Sequence, residues 1–316
     1  MSPQKISVPR EAAGERLDKF LSAHVPGLSV ERARTLIEKG HVLIRGKKCQ
    51  MSRKLWGGEE IELSRPPPRA PTRAAVSRSA EGPELPVLHD DASLVIVNKP
   101  AGLVVEPAGG TVPSVVELLA ARLPPFDVEG VAQPGVVHRL DRETSGCLAL
   151  ARTDEGVAAL DRAFQEKRVD KRYWALVLGE TPERDRLEGP YGRDPRNPRL
   201  YTTKVRSARR AALSYEVRER LKGATLVEVK LETGRTHQIR VQMAEAGYPV
   251  LADSLYGPEE TRTHPAAKEI GRHALHAVRL SLPSLATGGG VSVEAPLPED
   301  FQRALAMLRA PSGNQR

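Results

Sequence analysis

The sequence predicts an α+β protein: a mixed, largely antiparallel sheet domain preceded by a small α/β unit. Three observations carry this. Strand-like apolar runs outnumber helical patterns from Leu85 to about Leu308, and their order is not strict strand–helix alternation. Residues 14–64 have their own apolar periodicity. Between these blocks lies "RPPPRAPTRAAVSRSA", with four prolines, four arginines and no acid, which cannot build a core.

The first unit reads as two helices and a hairpin. Leu17, Phe20 and Leu21 take i, i+3, i+4 spacing. Ser29 suits the N-cap of a second helix, Glu31 its positive end, and Gly40 its stop. "HVLIRGKK" and "EEIEL" read as strands. Basic residues, Arg32 and Arg34 among them, occupy the polar face. Residues 65–84 form a linker able to span about 50 Å if extended.

In the second domain the strands are "LVIVNKP", "GVVHRL", "CLALAR", "YWALVLG", "ALSYEV", "TLVEVKL" and "LHAVRLSL". Helical patterns are "SVVELLAARL", "EGVAALDRAFQEKR" and "THQIRVQMAEAG". The domain is expected to span 85–308, with a disordered tail over 309–316.

The chain has 316 residues, 48 basic against 40 acidic, and net charge +8, which favours a polyanionic partner. Its two cysteines, Cys49 and Cys147, offer neither a disulfide framework nor a zinc spacing and fit a cytoplasmic protein. No apolar leader or 18-residue apolar run is present, so neither a signal peptide nor a membrane partner is expected. His273 and His276 lack a third ligand at suitable spacing, so no metal is expected.

Three clusters are candidates for chemistry. In "HRLDRETSG", Arg139 and Asp141 share a face if the segment is extended, and neighbouring guanidinium favours the ionised carboxylate. A surface loop with a local ion pair fits the same residues. In "LETGRTHQIRVQM", Thr236 is placed to cap a helix and Arg235 to project at its start. A buried arginine needs a carboxylate partner, and Asp141 is the candidate. In "KRYWALVLG", Tyr173 and Trp174 point to opposite faces of a strand. Tyr173 suits stacking on a base, or simply core. The segment Arg193–Arg210 holds seven basic residues and one acid, and Arg193 and Arg196 are expected to touch the backbone of a polyanionic partner.

"LSVERARTLIEKGHVLIRGK" resembles the S4 RNA-binding domain, departing at Val30, where that family usually has arginine. "DDASLVIVNKPAGLVVEP", "HRLDRETSG", "KRYWALV", "TGRTHQIRVQM", "GYPVLADSLYG" and "LHAVRL", in that order, resemble the RluA family of RNA pseudouridine synthases. Glu106 and Gln242 stand where that family commonly has histidines. The resemblance implies the pseudouridine synthase fold and isomerisation of uridine to pseudouridine without cofactor, by a monomer acting on RNA. Large-subunit (23S) ribosomal RNA is favoured over transfer RNA. It further implies that Asp141 is the catalytic aspartate, as nucleophile at C1′ or base at C2′. Arg235 is then its ion-pair partner and Tyr173 the active-site tyrosine. Arg139 lies near a flipped nucleotide, and Ile239 and Leu275 form the apolar pocket wall. Flipping costs a few kcal/mol, which phosphate contacts offset. A non-catalytic RNA-binding factor and a nucleoside glycosidase are the rival readings. The latter normally needs two carboxylates.

Overall fold

A computed structural model describes residues 3–25, 28, 30–64, 81–107, 112–128, 133–206, 209–283 and 290–309. The expected cap Ser29, most of the linker (65–80) and residues 310–316 of the tail lie outside the described residues.

The N-terminal unit comprises β1 (Gln4–Ser7), α1 (Leu17–His24), α2 (Val30–Glu38), β2 (Val42–Ile44), β3 (Lys47–Lys48) and β4 (Glu60–Leu63). The sheet order is β1-β4-β2-β3. Phe20 and Leu21 of α1, Leu36 and Ile37 of α2, and Ile61 and Leu63 of β4 form a core of its own. The unit reaches further back than residue 14. β1 pairs with β4, and Val8 and Ala12 join the core.

The larger domain begins with β5 (Val87–Asp90), β6 (Leu94–Lys99), α3 (Val115–Arg122), β7 (Gly135–Val136), β8 (Ser145–Ala151) and α4 (Asp154–Gln165). It continues with β9 (Asp170–Leu178), β10 (Arg184–Pro190), β11 (Gly192–Arg193), β12 (Tyr201–Thr202), β13 (Arg210–Leu221) and β14 (Ala224–Leu231). It closes with α5 (Gln238–Glu245), α6 (Glu260–Thr263), α7 (Pro265–Ile270), β15 (Leu275–Leu282), β16 (Val291–Glu294) and α8 (Glu299–Arg309). The main sheet runs β10-β13-β14-β9-β15-β8-β6-β5, with β7 added to β8 and β16 to β15. Among the described strands every pairing is antiparallel except β8 with β15.

Period-two alternation divides the sheet into two buried faces. Val95, Val97, Leu148 and Leu150 face one core; Leu94, Ile96, Cys147 and Ala149 face another, under α4. Burial on both sides explains the unbroken apolar runs in β6 and β8. α3 starts with a capping box, in which Ser114 accepts from the Glu117 N–H and the Glu117 carboxylate accepts from the Ser114 N–H. α8 packs Phe301, Leu305 and Leu308 into the first core, so Arg309 ends a helix rather than opening a tail.

The parallel junction is tight. Gly146 has φ +113°, and a Cβ there would lie 2.2 Å from the Ala277 carbonyl oxygen. Only glycine accommodates both that backbone angle and that approach.

Candidate active site

Asp141 stands at the first position of a tight turn between β7 and β8; its carbonyl accepts from the Thr144 N–H at 3.0 Å. The strand begins at Ser145, so the corner is Arg142–Glu143. The turn is pinned from two sides. The fully buried Lys99 Nζ donates to the carbonyls of Pro100, Leu103 and Arg142 at 2.8, 2.8 and 2.9 Å. Burial pushes this ammonium down to about 7, while the charges of Glu143 and Asp141 act in the opposite sense. On the other side Arg272, ion-paired to Asp300, donates to the Glu143 carbonyl at 2.8 Å, and His273 Nε2 lies 2.8 Å from Thr144 Oγ1. His276 likewise meets Ser145 Oγ at 2.9 Å. These histidines, weighed above only as metal ligands, hold the turn in place.

The arginine facing Asp141 is Arg240, not Arg235. α5 begins at Gln238, after His237 adopts the left-handed conformation (φ 57°), and Thr236 does not cap it. Every residue from Gln238 to Met243 is buried, so the Arg240 guanidinium enters the interior. Its Nη1 donates to Asp141 Oδ2 at 3.1 Å, and its Nε and Nη2 grip Asp253 at 2.7 and 2.9 Å. Arg240 and Asp253 are 5% and 1% exposed; Asp141 is 23% exposed. Burial opposes ionisation of Asp253, yet the Arg240 hydrogen bonds and charge outweigh it and hold its carboxyl below the usual range. Arg235 precedes the helix and donates to the Arg210 carbonyl at 3.0 Å, at the exposed rim.

Asp141 Oδ1 accepts no hydrogen bond among the described residues; His237 Nε2 lies 3.9 Å from it. The other His237 nitrogen meets Tyr256 Oη at 2.8 Å. Burial lowers the affinity of His237 for a proton more than Asp141 raises it, so the ring is neutral at pH 7.

Asp141 lines a cavity of about 1320 Å³. Tyr173 on β9, Ile239 on α5 and Leu275 on β15 line it, all less than a tenth exposed. Burial first, and the Asp141 charge second, push the Tyr173 phenol well above its ordinary value, so it stays protonated. Trp174 points to the other face, where its indole N–H donates to Glu228 at 3.3 Å. Arg139 stands exposed at the mouth, 3.9 Å from Glu106, which gives that departure from the family pattern a local partner. Gln242 does not line the cavity; it donates to the Leu187 carbonyl at 3.1 Å and accepts from Gln238 at 2.9 Å.

Arg193 and Arg196 belong to the β11–β12 hairpin. The Arg193 guanidinium lies 4.8 Å over the Tyr201 ring, which meets the edge of His237, so the hairpin base abuts the site. Arg196 is exposed. In the N-terminal unit Arg34 donates to the buried Asp18 at 2.9 Å, which binds its guanidinium to the protein itself. The side chain of Arg32 lies outside the described residues.

Among the described residues no group of three or more His, Cys, Asp or Glu is arranged to hold a metal ion. Among the described residues no helix is long and apolar enough to cross a membrane.

Comparison with known proteins adds the family. The family model described as RNA pseudouridylate synthase matches residues 93–245, and that of the S4 domain matches 15–61. An RNA pseudouridine synthase of Chloroflexus aurantiacus is 40% identical over 305 residues, covering 96% of this chain and 93% of its own. A ribosomal large subunit pseudouridine synthase D of Neisseria meningitidis serogroup B is 38% identical over 315 residues, covering 98% and 82%. The solved structure of human RNA pseudouridylate synthase domain containing 1 superposes with TM-score 0.58 at 25% identity, over 72% of this chain and 89% of that one. A two-unit α+β chain, a carboxylate with one open oxygen in a cavity and these matches agree: the chain belongs to the RNA pseudouridine synthase family, carries an N-terminal S4 domain, and is an enzyme of that class acting on RNA.

Proposed function

We propose that this enzyme isomerises uridines of large-subunit (23S) ribosomal RNA to pseudouridine, with Asp141 as the catalytic residue acting on an everted nucleotide. In the reaction the N1–C1′ bond breaks, C5 bonds to C1′, and the C5 proton is lost as N1 gains one. The observation that carries this reading is the asymmetry of Asp141. Oδ2 accepts from a buried guanidinium, while Oδ1 accepts no hydrogen bond from the described residues and Asp141 lines the cavity. Oδ1 is therefore the oxygen that meets the sugar, at C1′ as nucleophile or at C2′–H as base. Tyr173 forms the platform for the uracil, Ile239 and Leu275 close the apolar wall, and Arg139 at the mouth occupies the stack that the nucleotide leaves. The relatives named for the ribosomal large subunit support the choice of RNA. The enzyme works in the cytoplasm as a monomer.

The test is pseudouridine mapping by carbodiimide-dependent primer extension on large-subunit ribosomal transcripts, with transfer RNAs in parallel. The wild type yields stops at specific uridines of the ribosomal transcript. Asp141→Asn yields none while still binding RNA. Stops confined to transfer RNA would overturn the substrate, and activity in Asp141→Asn would overturn the mechanism.

A further inference from the structure

The cavity continues past Tyr173. Lys171 lies two residues back on β9, so both side chains leave the same face of the strand, about 7 Å apart. The Lys171 Nζ makes no ion pair or hydrogen bond among the described residues. Asp170 pairs with Arg172 and Lys230 and Glu232 with Arg186, while Asp161 also lines the cavity. Nζ sits 5.3 Å over the Phe164 ring and beneath the Thr233–Gly234 turn, where a Cβ on Gly234 would come within 3.4 Å of it. Burial alone pushes its ammonium below the usual lysine range.

His138 stands beside it and packs on the same ring, centroids 4.9 Å apart. Its Nε2 accepts from the Ala149 N–H at 3.0 Å. That bond fixes the tautomer, since an acceptor nitrogen carries no proton, and leaves Nδ1–H as a donor. Burial and the Lys171 charge push the imidazole down to about 3, so it stays neutral. Lys167 and Lys230 line the same end of the cavity.

We propose that Lys171 and His138 form a phosphate subsite of the active-site cavity, binding a phosphodiester of the substrate RNA next to the everted uridine. The proposal rests on the functional reading above. An unpaired ammonium, a fixed neutral N–H donor and an apolar floor suit a single desolvated anion. One strand repeat from Tyr173 places that anion beside the nucleotide stacked there.

The experiment measures RNA affinity against salt concentration, with a large-subunit ribosomal transcript as probe. Lys171→Met is expected to weaken binding about tenfold and to lower the slope of log affinity on log salt by about 0.7, one phosphate contact to a single strand. Lys171→Arg restores both. An unchanged slope in a folded Lys171→Met, or a fall in melting temperature with no change in slope, overturns the subsite. A measurement on the wild type covers the case where the variant does not fold. Single neutral methylphosphonates are placed at each phosphate flanking the modified uridine in a synthetic fragment. One position must weaken binding by a similar factor, and if none does the subsite is wrong. An enzyme that modifies no transcript sinks the functional reading, while the salt slope still decides the subsite because it reads binding alone.

Discussion

Asp18 in the S4 domain and Asp141 in the catalytic domain each sit against arginine, with opposite outcomes. Asp18 is fully buried, and both its oxygens are engaged: Arg16 donates to each, and Arg34 adds a third bond at 2.9 Å. Burial opposes its ionisation, but those guanidinium bonds win and hold the carboxyl down to about 2. Asp141 meets one guanidinium through one oxygen, and that guanidinium is already held by Asp253. An aspartate whose oxygens are all bonded ties parts of a fold together; one with an oxygen to spare is available to a ligand. Proximity to arginine does not separate the two cases, whereas the remaining acceptor capacity does.

The comparison predicts that Asp141→Asn lowers single-turnover pseudouridine formation by about 10⁴-fold and leaves thermal unfolding nearly unchanged. A comparable loss from Asp18→Asn, assayed the same way, would break the distinction. Arg240→Met strands the buried Asp253 carboxylate and is expected to cost about 3–5 kcal/mol in denaturant unfolding of the catalytic domain. Asp18→Asn removes charge-assisted bonds in the S4 domain and should cost about 1–3 kcal/mol there. Acid probes the same bonds. A carboxyl lowered from about 4 in the unfolded chain to about 2 in the folded one stabilises the fold above pH 4. That contribution disappears as pH falls through 2. Hydrogen exchange across residues 15–61 should therefore accelerate over this window, and less so in Asp18→Asn. Arg235→Ala should change stability by less than about 0.5 kcal/mol. A cost matching that of Arg240→Met would restore Arg235 as the partner of the carboxylate.

Strands buried on both faces were legible as apolar runs, and the clusters around Asp141 and Tyr173 were legible as charge and aromatic placed where core was expected. β10, "RDRLEGP", was not legible. It lies at the sheet edge, pairs only with β13 and is largely exposed, so its place comes from backbone hydrogen bonds rather than from an apolar pattern. The choice between Arg235 and Arg240 depended on where α5 starts. That depended on the left-handed His237, a conformation that spacing does not reveal. A usable signal was present nonetheless. Arg240 falls between Ile239 and Val241 in a helix with little polar face, and a charge in such a position requires a buried counter-charge, here Asp253 of "VLADSLYG". Lys99 carried no signal of this kind, because its partners are carbonyls of the main chain.

The contact between Gly146 and Ala277 sets a limit on how this enzyme can vary. The turn that carries Asp141 ends at Thr144, two residues before Gly146, and the opposing backbone leaves no space for even a methyl group on that glycine. Gly146 is not among the residues that line the cavity and bears no side chain. Even so, alanine there would wedge apart the single parallel seam of the sheet and swing the carboxylate away from its guanidinium. The placement of Asp141 thus depends on a site where evolution has one residue to choose from, and a library screened for altered RNA preference should leave that site alone.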